Sequence, residues 1–182
     1  MTLSDSLRMI VAALEDAGVP FMIAGSVASG YHGETRSTQD VDMVIDPSSE
    51  ALDRFVSGLD PSRFYVGDHR RALAQRDMFN VIDMANGWKF DLIVRHDRPF
   101  SVEEFARRRP GTIEDVAVHF ATAEDVVLSK LEWGKASDST RQFDDARAVV
   151  RSAGLDRAYL ELWADRLDIR EELASLLDEN QE

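Results

Sequence analysis

Cysteine is absent from the 182 residues, which excludes disulfides, thiolate nucleophiles and cysteine-ligated zinc. No apolar run approaches the roughly 20 residues that a membrane-crossing helix needs. The first residues, Met1-Thr-Leu-Ser-Asp5, lack the cationic and apolar pattern of a secretory leader. The expectation is therefore a cytoplasmic chain with no membrane partner. Basic charge is also scarce: 21 lysines and arginines face 34 acidic residues, for a net charge of −13. Broad, sequence-independent binding to nucleic acid relies on cationic side chains that neutralise phosphates, so this balance argues against it. Two local clusters stand apart, Arg70-Arg71 with Arg76 and Arg107-Arg108-Arg109. Each reads either as a basic patch or as a solvated helix end. There is no internal repeat, low-complexity tract or long linker.

What is present is a soluble composition, 44% hydrophobic and 30% charged. The length suits one domain, or one domain with a small appendage. Leu7, Ile10, Val11 and Leu14 recur at helical spacing, with Ser4 as N-cap and Gly18 as stop. A second helix is expected over Glu50 to Gly58, a short strand near Phe64 to Val66 and a short helix from Asp68 to Gln75. Ser101 to Arg108 reads as a capped helix with Glu104 in the capping-box position, ended by Pro110-Gly111. Val116 to Phe120 reads as a strand, and from Thr122 onward the pattern is helical only.

The stretch from Met22 to Asp46 organises the rest. An apolar strand, Phe21 to Ala24, is broken by Gly25-Ser26, which opens a short helix. Glycine allows close backbone approach, and a helix start presents N–H groups to an anion. Then Arg36-x-Thr38-x-Asp40-x-Asp42 runs into the strand Met43-Val-Ile45. Alternation places Asp40 and Asp42 on one strand face with Val41 opposite. A phosphate cradle followed by paired carboxylates is what a metal–nucleotide complex requires. Carboxylates two apart are common in so acidic a chain, and it is the combination that carries weight. His32, at the end of the short helix, reads as a capping or packing residue.

Met78 to Asp83 and Trp88 to Val94 form an expected hairpin about Ala85-Asn86-Gly87. Asp91 is a charged residue inside its otherwise apolar second strand, where an unpaired buried carboxylate is costly. Asp83 competes with it for a chemical role, but its strand-end position favours a turn. His119 reads as a satisfied sheet histidine. In the helical tail Lys130 stands out beside apolar neighbours and Asp145 follows in Arg141-Gln-Phe-Asp-Asp-Ala-Arg147, with a surface salt bridge as the plain alternative.

Gly25-Ser26 followed by Asp40-x-Asp42 resembles the signature of the DNA polymerase β-type nucleotidyltransferase superfamily. Arg36-x-Thr38-x-Asp-Val-Asp42 is similar to its minimal bacterial branch, related to the AbiEii/MenA-type toxin nucleotidyltransferases. Lys130-Leu-Glu-Trp133, Arg141-Gln-Phe-x-Asp145 and Leu155-Asp-x-Ala-Tyr-Leu-x-x-Trp163 resemble the tail of an uncharacterised group within that branch. Gly134-Lys-Ala-Ser-Asp-Ser139 departs from it.

The resemblance implies an α+β fold, a mixed β-sheet flanked by helices and followed by a C-terminal helical bundle. It implies a core at residues 1–120 and a helical subdomain at 121–182 packed on that core. By the same resemblance Asp40, Asp42 and Asp91 are the catalytic and metal-binding residues, and two Mg²⁺ ions are the cofactor. Gly25, Ser26, Arg36, Lys130 and Asp145 would bind the nucleotide. The implied activity moves NMP from an NTP to an acceptor, with tRNA as acceptor and an antitoxin as partner if the chain is the toxin of a pair. The alternatives are nucleotidylation of a protein or of a small hydroxylated molecule such as an aminoglycoside, and an inactive nucleotide-binding protein.

Overall fold

The computed structural model describes residues 2–33, 38–152 and 154–178. In chain order the elements are α1 (Leu3–Ala17), β1 (Phe21–Ile23), α2 (Gly25–His32), β2 (Asp40–Ile45), α3 (Ser49–Gly58), β3 (Phe64–Val66), α4 (His69–Gln75), β4 (Met78–Asp83) and β5 (Lys89–Val94). There follow α5 (Pro99–Arg107), β6 (Arg109–Ile113), β7 (Val116–Phe120), α6 (Ala123–Ser137), α7 (Thr140–Ser152), α8 (Arg157–Arg166) and α9 (Arg170–Asp178). They group into two units. One comprises residues 1–23 and 38–120; the other comprises 24–37 and 121–182. The helix α2 thus groups with the C-terminal helices, although it lies within the stretch expected as the core.

The first unit holds the sheet, with strands in the order β3-β4-β5-β2-β1-β7-β6. Pairings are antiparallel except β2–β5 and β1–β7, which are parallel. Register partners share a sheet face, and alternation sorts the side chains of the central strands cleanly. Val41, Met43 and Ile45 of β2, Phe90, Leu92 and Val94 of β5, and Phe79 and Val81 of β4 fall on one face, all buried. The amphipathic helices α1 and α3 pack together through buried residues that include Leu7, Ile10, Leu14, Leu52 and Phe55. Arg54 Nη2 donates to the Ala17 carbonyl at 2.9 Å, which satisfies an end group of α1.

Local chemistry explains where three boundaries differ from expectation. Thr2, not Ser4, caps α1: its hydroxyl accepts from the Asp5 amide while Asp5 accepts from the Thr2 amide, a reciprocal capping box. The helix α5 starts at Pro99, with Arg98 as N-cap. Proline suits the first helical position because its missing N–H has no intrahelical partner anyway. Pro110 and Gly111, read as a helix stop, lie in β6. That strand is an edge of the sheet, where proline's missing donor is tolerated.

The second unit is helical. Thr122 caps α6, and the Thr122 hydroxyl also donates to Asp125 Oδ2 at 2.6 Å. Tyr159 Oη donates to the other oxygen of Asp125 at 2.6 Å, tying α8 to α6. Val127, Leu128 and Leu131 of α6, Ala146 and Val149 of α7, Leu160 and Trp163 of α8, and Leu173 and Leu176 of α9 are buried. At the end of α2 the backbones come close. A Cβ on Gly33 would lie 2.8 Å from the carbonyl carbon of Ala148, so only glycine fits. His32 donates from Nε2 to the Ala121 carbonyl at 2.7 Å, a structural contact.

Candidate active site

The carboxylates of the first unit are positioned by strand register. In the parallel pair β2–β5, Asp40 is opposite Lys89 and Asp42 is opposite Asp91. Asn80 of β4 is opposite Asp91 on its other side. Neighbouring strands lie about 4.7–4.9 Å apart, so Asn80, Asp91 and Asp42 form a polar row across three strands. All five residues lie on the face opposite Val41, Phe90 and Val81. Exposure falls along this set: the Asp40 side chain is about half exposed, whereas that of Asp91 is 10% exposed.

Asp91 is well partnered. Asn80 donates from Nδ2 to its Oδ1, and the Lys89 ammonium lies 3.0 Å from its Oδ2. The same ammonium is 3.3 Å from Asp40 Oδ1. Lys89 therefore bridges two of the three carboxylates. Its hydrogen bond to Asp91, with the negative charge of Asp91 and Asp40, raises its pKa above the usual lysine value despite partial loss of hydration. Neither Lys89 nor Asn80 was singled out by the sequence reading. The signal for Lys89 was there, since Lys89-x-Asp91 has the same two-residue alternation as Asp40-x-Asp42.

Three carboxylates on one face offer the hard oxygen ligands that Mg²⁺ takes, and the Lys89 ammonium shows that the place between them suits positive charge. Among the described residues no three His, Asp or Glu side chains are gathered closely enough to share one ion. The donor chemistry thus fits a divalent cation, while in this conformation Lys89 and Asn80 take up part of it.

Asp83 serves the hairpin and its surroundings. It is fully buried, accepts from Ser6 Oγ at 2.7 Å, pairs with Arg63 at 2.7 Å and accepts from the Ala85 amide at 3.0 Å. Burial works to raise its pKa, but these hydrogen bonds outweigh it and hold the carboxyl below its ordinary value.

The remaining expected residues lie in the second unit. Gly25 opens α2 with φ +55°, a left-handed conformation that favours glycine. The N-cap Ala24 makes no side-chain cap. Ser26 follows, and both Gly25 and Ser26 offer carbonyls to Ser29 Oγ. Lys130 and Asp145 are both buried and meet at 2.8 Å, joining α6 to α7. This is a buried ion pair and not a surface one. Arg36 lies outside the described residues. The arginine clusters are largely engaged: Arg70 pairs with Asp53, Arg76 with Asp97, and Arg108 donates to the Phe105 carbonyl. His119 is exposed on β7 with its ring edge-on to Phe21.

No protein-family model and no curated protein matches this sequence. Solved structures do. The chain superposes on ANT(2")-Ia in complex with adenylyl-2"-tobramycin with a TM-score of 0.62 at 15% identity, covering 94% of this chain and 99% of that one. An antigenic nucleotidyltransferase-like protein from Paracoccidioides brasiliensis matches with a TM-score of 0.57 at 18% identity, over 96% and 93% of the two chains. Lincomycin-bound LnuA, a lincosamide antibiotic adenylyltransferase, matches with a TM-score of 0.54 at 9% identity, over 82% and 98%. At these identities the likeness establishes the fold: a nucleotidyltransferase-type mixed sheet with flanking helices.

Proposed function

We propose that this chain is a metal-dependent nucleotidyltransferase that moves NMP from an NTP to a hydroxyl acceptor. One observation carries the reading: Asp42 and Asp91 stand side by side on parallel strands, with Asp40 on the same face, in a chain of nucleotidyltransferase-type fold. Among the described residues no helix is long and apolar enough to cross a membrane.

Asp40 and Asp42 would hold the Mg²⁺ that chelates the triphosphate, and with Asp91 they would hold a second. When bound, such ions neutralise developing charge and acidify the acceptor hydroxyl. In the transfer, the acceptor oxygen forms a bond to the α-phosphorus, the bond to the bridging oxygen breaks, and pyrophosphate leaves. In this proposal Asp91 would also take the hydroxyl proton, with Asn80 donating to its other carboxylate oxygen. For the phosphates the proposal relies on Gly25 and Ser26, where a left-handed glycine opens a helix, and on Arg36. Lys130 and Asp145 complete the proposed nucleotide-binding set.

The acceptor we favour is a small hydroxylated molecule with cationic groups. The net charge of −13 attracts such a molecule and opposes a polyanion. ANT(2")-Ia with adenylyl-2"-tobramycin and LnuA with lincomycin are precedents on this fold. A second reading takes tRNA as acceptor, the chain being the toxin of a toxin–antitoxin pair. The Lys130–Asp145 pair on consecutive helices favours it, as does the AbiEii/MenA-like wording around Asp40 and Asp42. The test is incubation of purified protein with Mg²⁺, each α-³²P-labelled NTP, and an aminoglycoside and lincosamide panel, total tRNA or protein extract. Label on a small molecule supports the first reading, and label on tRNA the second. NTP binding with no transfer to any acceptor would contradict both and leave an inactive binding protein.

A further inference from the structure

The cation already present among the carboxylates is the lysine of β5. Lys89 Nζ lies 3.0 Å from Asp91 Oδ2 and 3.3 Å from Asp40 Oδ1, while its side chain keeps about a third of its exposure. It is one of only three lysines in the chain, with Lys130 and Lys135, against 18 arginines. A compact ammonium on a flexible stem can be exchanged for another cation more readily than a forked guanidinium. Asn80 holds the other oxygen of Asp91, so the carboxylate stays in place when the ammonium leaves. Among the described residues, no three ligating side chains converge on one point.

We propose that Lys89 is an internal counter-cation, neutralising Asp40 and Asp91 in the metal-free chain and leaving them when a divalent ion binds. The inference rests on the metal-dependent reading given above. Asp40 and Asp91 on one sheet face would repel each other without a cation, and Lys89, within 3.3 Å of both, offsets that repulsion. Its ammonium also competes with the incoming ion, so metal affinity is set below what the carboxylates alone would give. Lys89 acts on the ion through Asp40 and Asp91 and is a positioning residue.

The test uses Mn²⁺ as probe, titrated into the full chain at low ionic strength and followed by electron paramagnetic resonance. Lys89→Gln should bind Mn²⁺ roughly tenfold more tightly than wild type, the change expected on removing one charge close to a divalent ion. Lys135→Gln, which changes net charge equally at an exposed lysine paired with Asp168 and Glu172, should bind as wild type does. In wild type, Mg²⁺ should shift the side-chain ¹³Cε resonance of Lys89 while leaving that of Lys130 in place. This second measurement needs no variant to fold. If wild type binds Mn²⁺ at a site lost in Asp42→Asn, but Lys89→Gln binds no more tightly or the Lys89 resonance does not move, the exchange is overturned and the metal site stands. If neither wild type nor Lys89→Gln binds Mn²⁺, the metal-dependent reading falls with it.

Discussion

Asp42 of β2 and Asp91 of β5 are register partners in a parallel pair, so their side chains leave the same sheet face one strand apart. They come from segments 49 positions apart, the difference between their residue numbers. What joins them is the placement of β5 between β2 and β4. Asp91 is the most deeply buried of the trio and is held by Asn80 and Lys89.

On the proposed reading, Asn80 orients Asp91 by donating from Nδ2 to its Oδ1. Groups that orient metal ligands typically carry about 10–100-fold in affinity or activity. Asn80→Ala should lower kcat/KM and Mn²⁺ affinity by a factor in that range, with the thermal midpoint little changed. Asn80→Asp, which keeps the shape but loses the donor and adds charge, should do no better. Steady-state kinetics together with Mn²⁺ titration check this.

Lys130 and Asp145 form a buried pair in the second unit. Removing one member of such a pair strands the other, at a cost of about 3–5 kcal/mol, whereas replacing both with apolar groups is often close to neutral. Lys130→Met alone should destabilise by that amount in urea unfolding. Lys130→Met with Asp145→Leu should recover most of the loss. If the double variant regains stability but binds NTP poorly, the pair serves the nucleotide as well as the fold.

Much of this was open to reading from the sequence, and the gaps have physical causes. The strand–helix–strand run around Gly25, Asp40 and Asp42 follows from apolar alternation and a glycine break, both local. The hairpin β4–β5 was legible too, but its register was not. A turn centred on Asn86 would pair Val81 with Asp91, whereas the observed partner is Asn80. A slip of one residue moves every side chain to the other face, so Asn80 could be placed only once the turn was known. The strand β6 was hidden because Pro110 and Gly111 read as breakers, and only its position at the sheet edge makes them tolerable. The grouping of α2 with the C-terminal helices depends on contacts such as Gly33 against Ala148 that no local pattern encodes.

That contact yields its own prediction. Gly33→Ala places a methyl 2.8 Å from the Ala148 carbonyl carbon and 2.9 Å from the Val149 amide nitrogen. Both are backbone atoms of a helix, and neither can move cheaply. Overpacking of this kind typically costs about 1–3 kcal/mol. Urea unfolding should show a loss of that size, larger than for Gly58→Ala, where the added methyl meets nothing within 4 Å.

The pH dependence of stability should carry a signature of Asp83. Its folded-state pKa lies below the unfolded value through hydrogen bonds from Arg63, Ser6 and the Ala85 amide that outweigh burial. The unfolded chain therefore binds the proton more readily. The stabilisation is complete above the unfolded carboxyl pKa of about 3.9 and is lost as pH falls through the folded pKa. Wild type should lose thermal stability steeply below about pH 4. Asp83→Asn should be less stable at pH 7 and show a shallower acid limb.

The most direct measurement compares wild type with Asp42→Asn in transfer of α-³²P label to whichever acceptor takes it, with Mg²⁺ present and folding checked by circular dichroism. A loss of more than about 100-fold, beyond that typical of disturbing an outer-shell partner, is expected with the fold intact. Undiminished transfer by Asp42→Asn would contradict the assignment of Asp40, Asp42 and Asp91 as the centre of the chemistry.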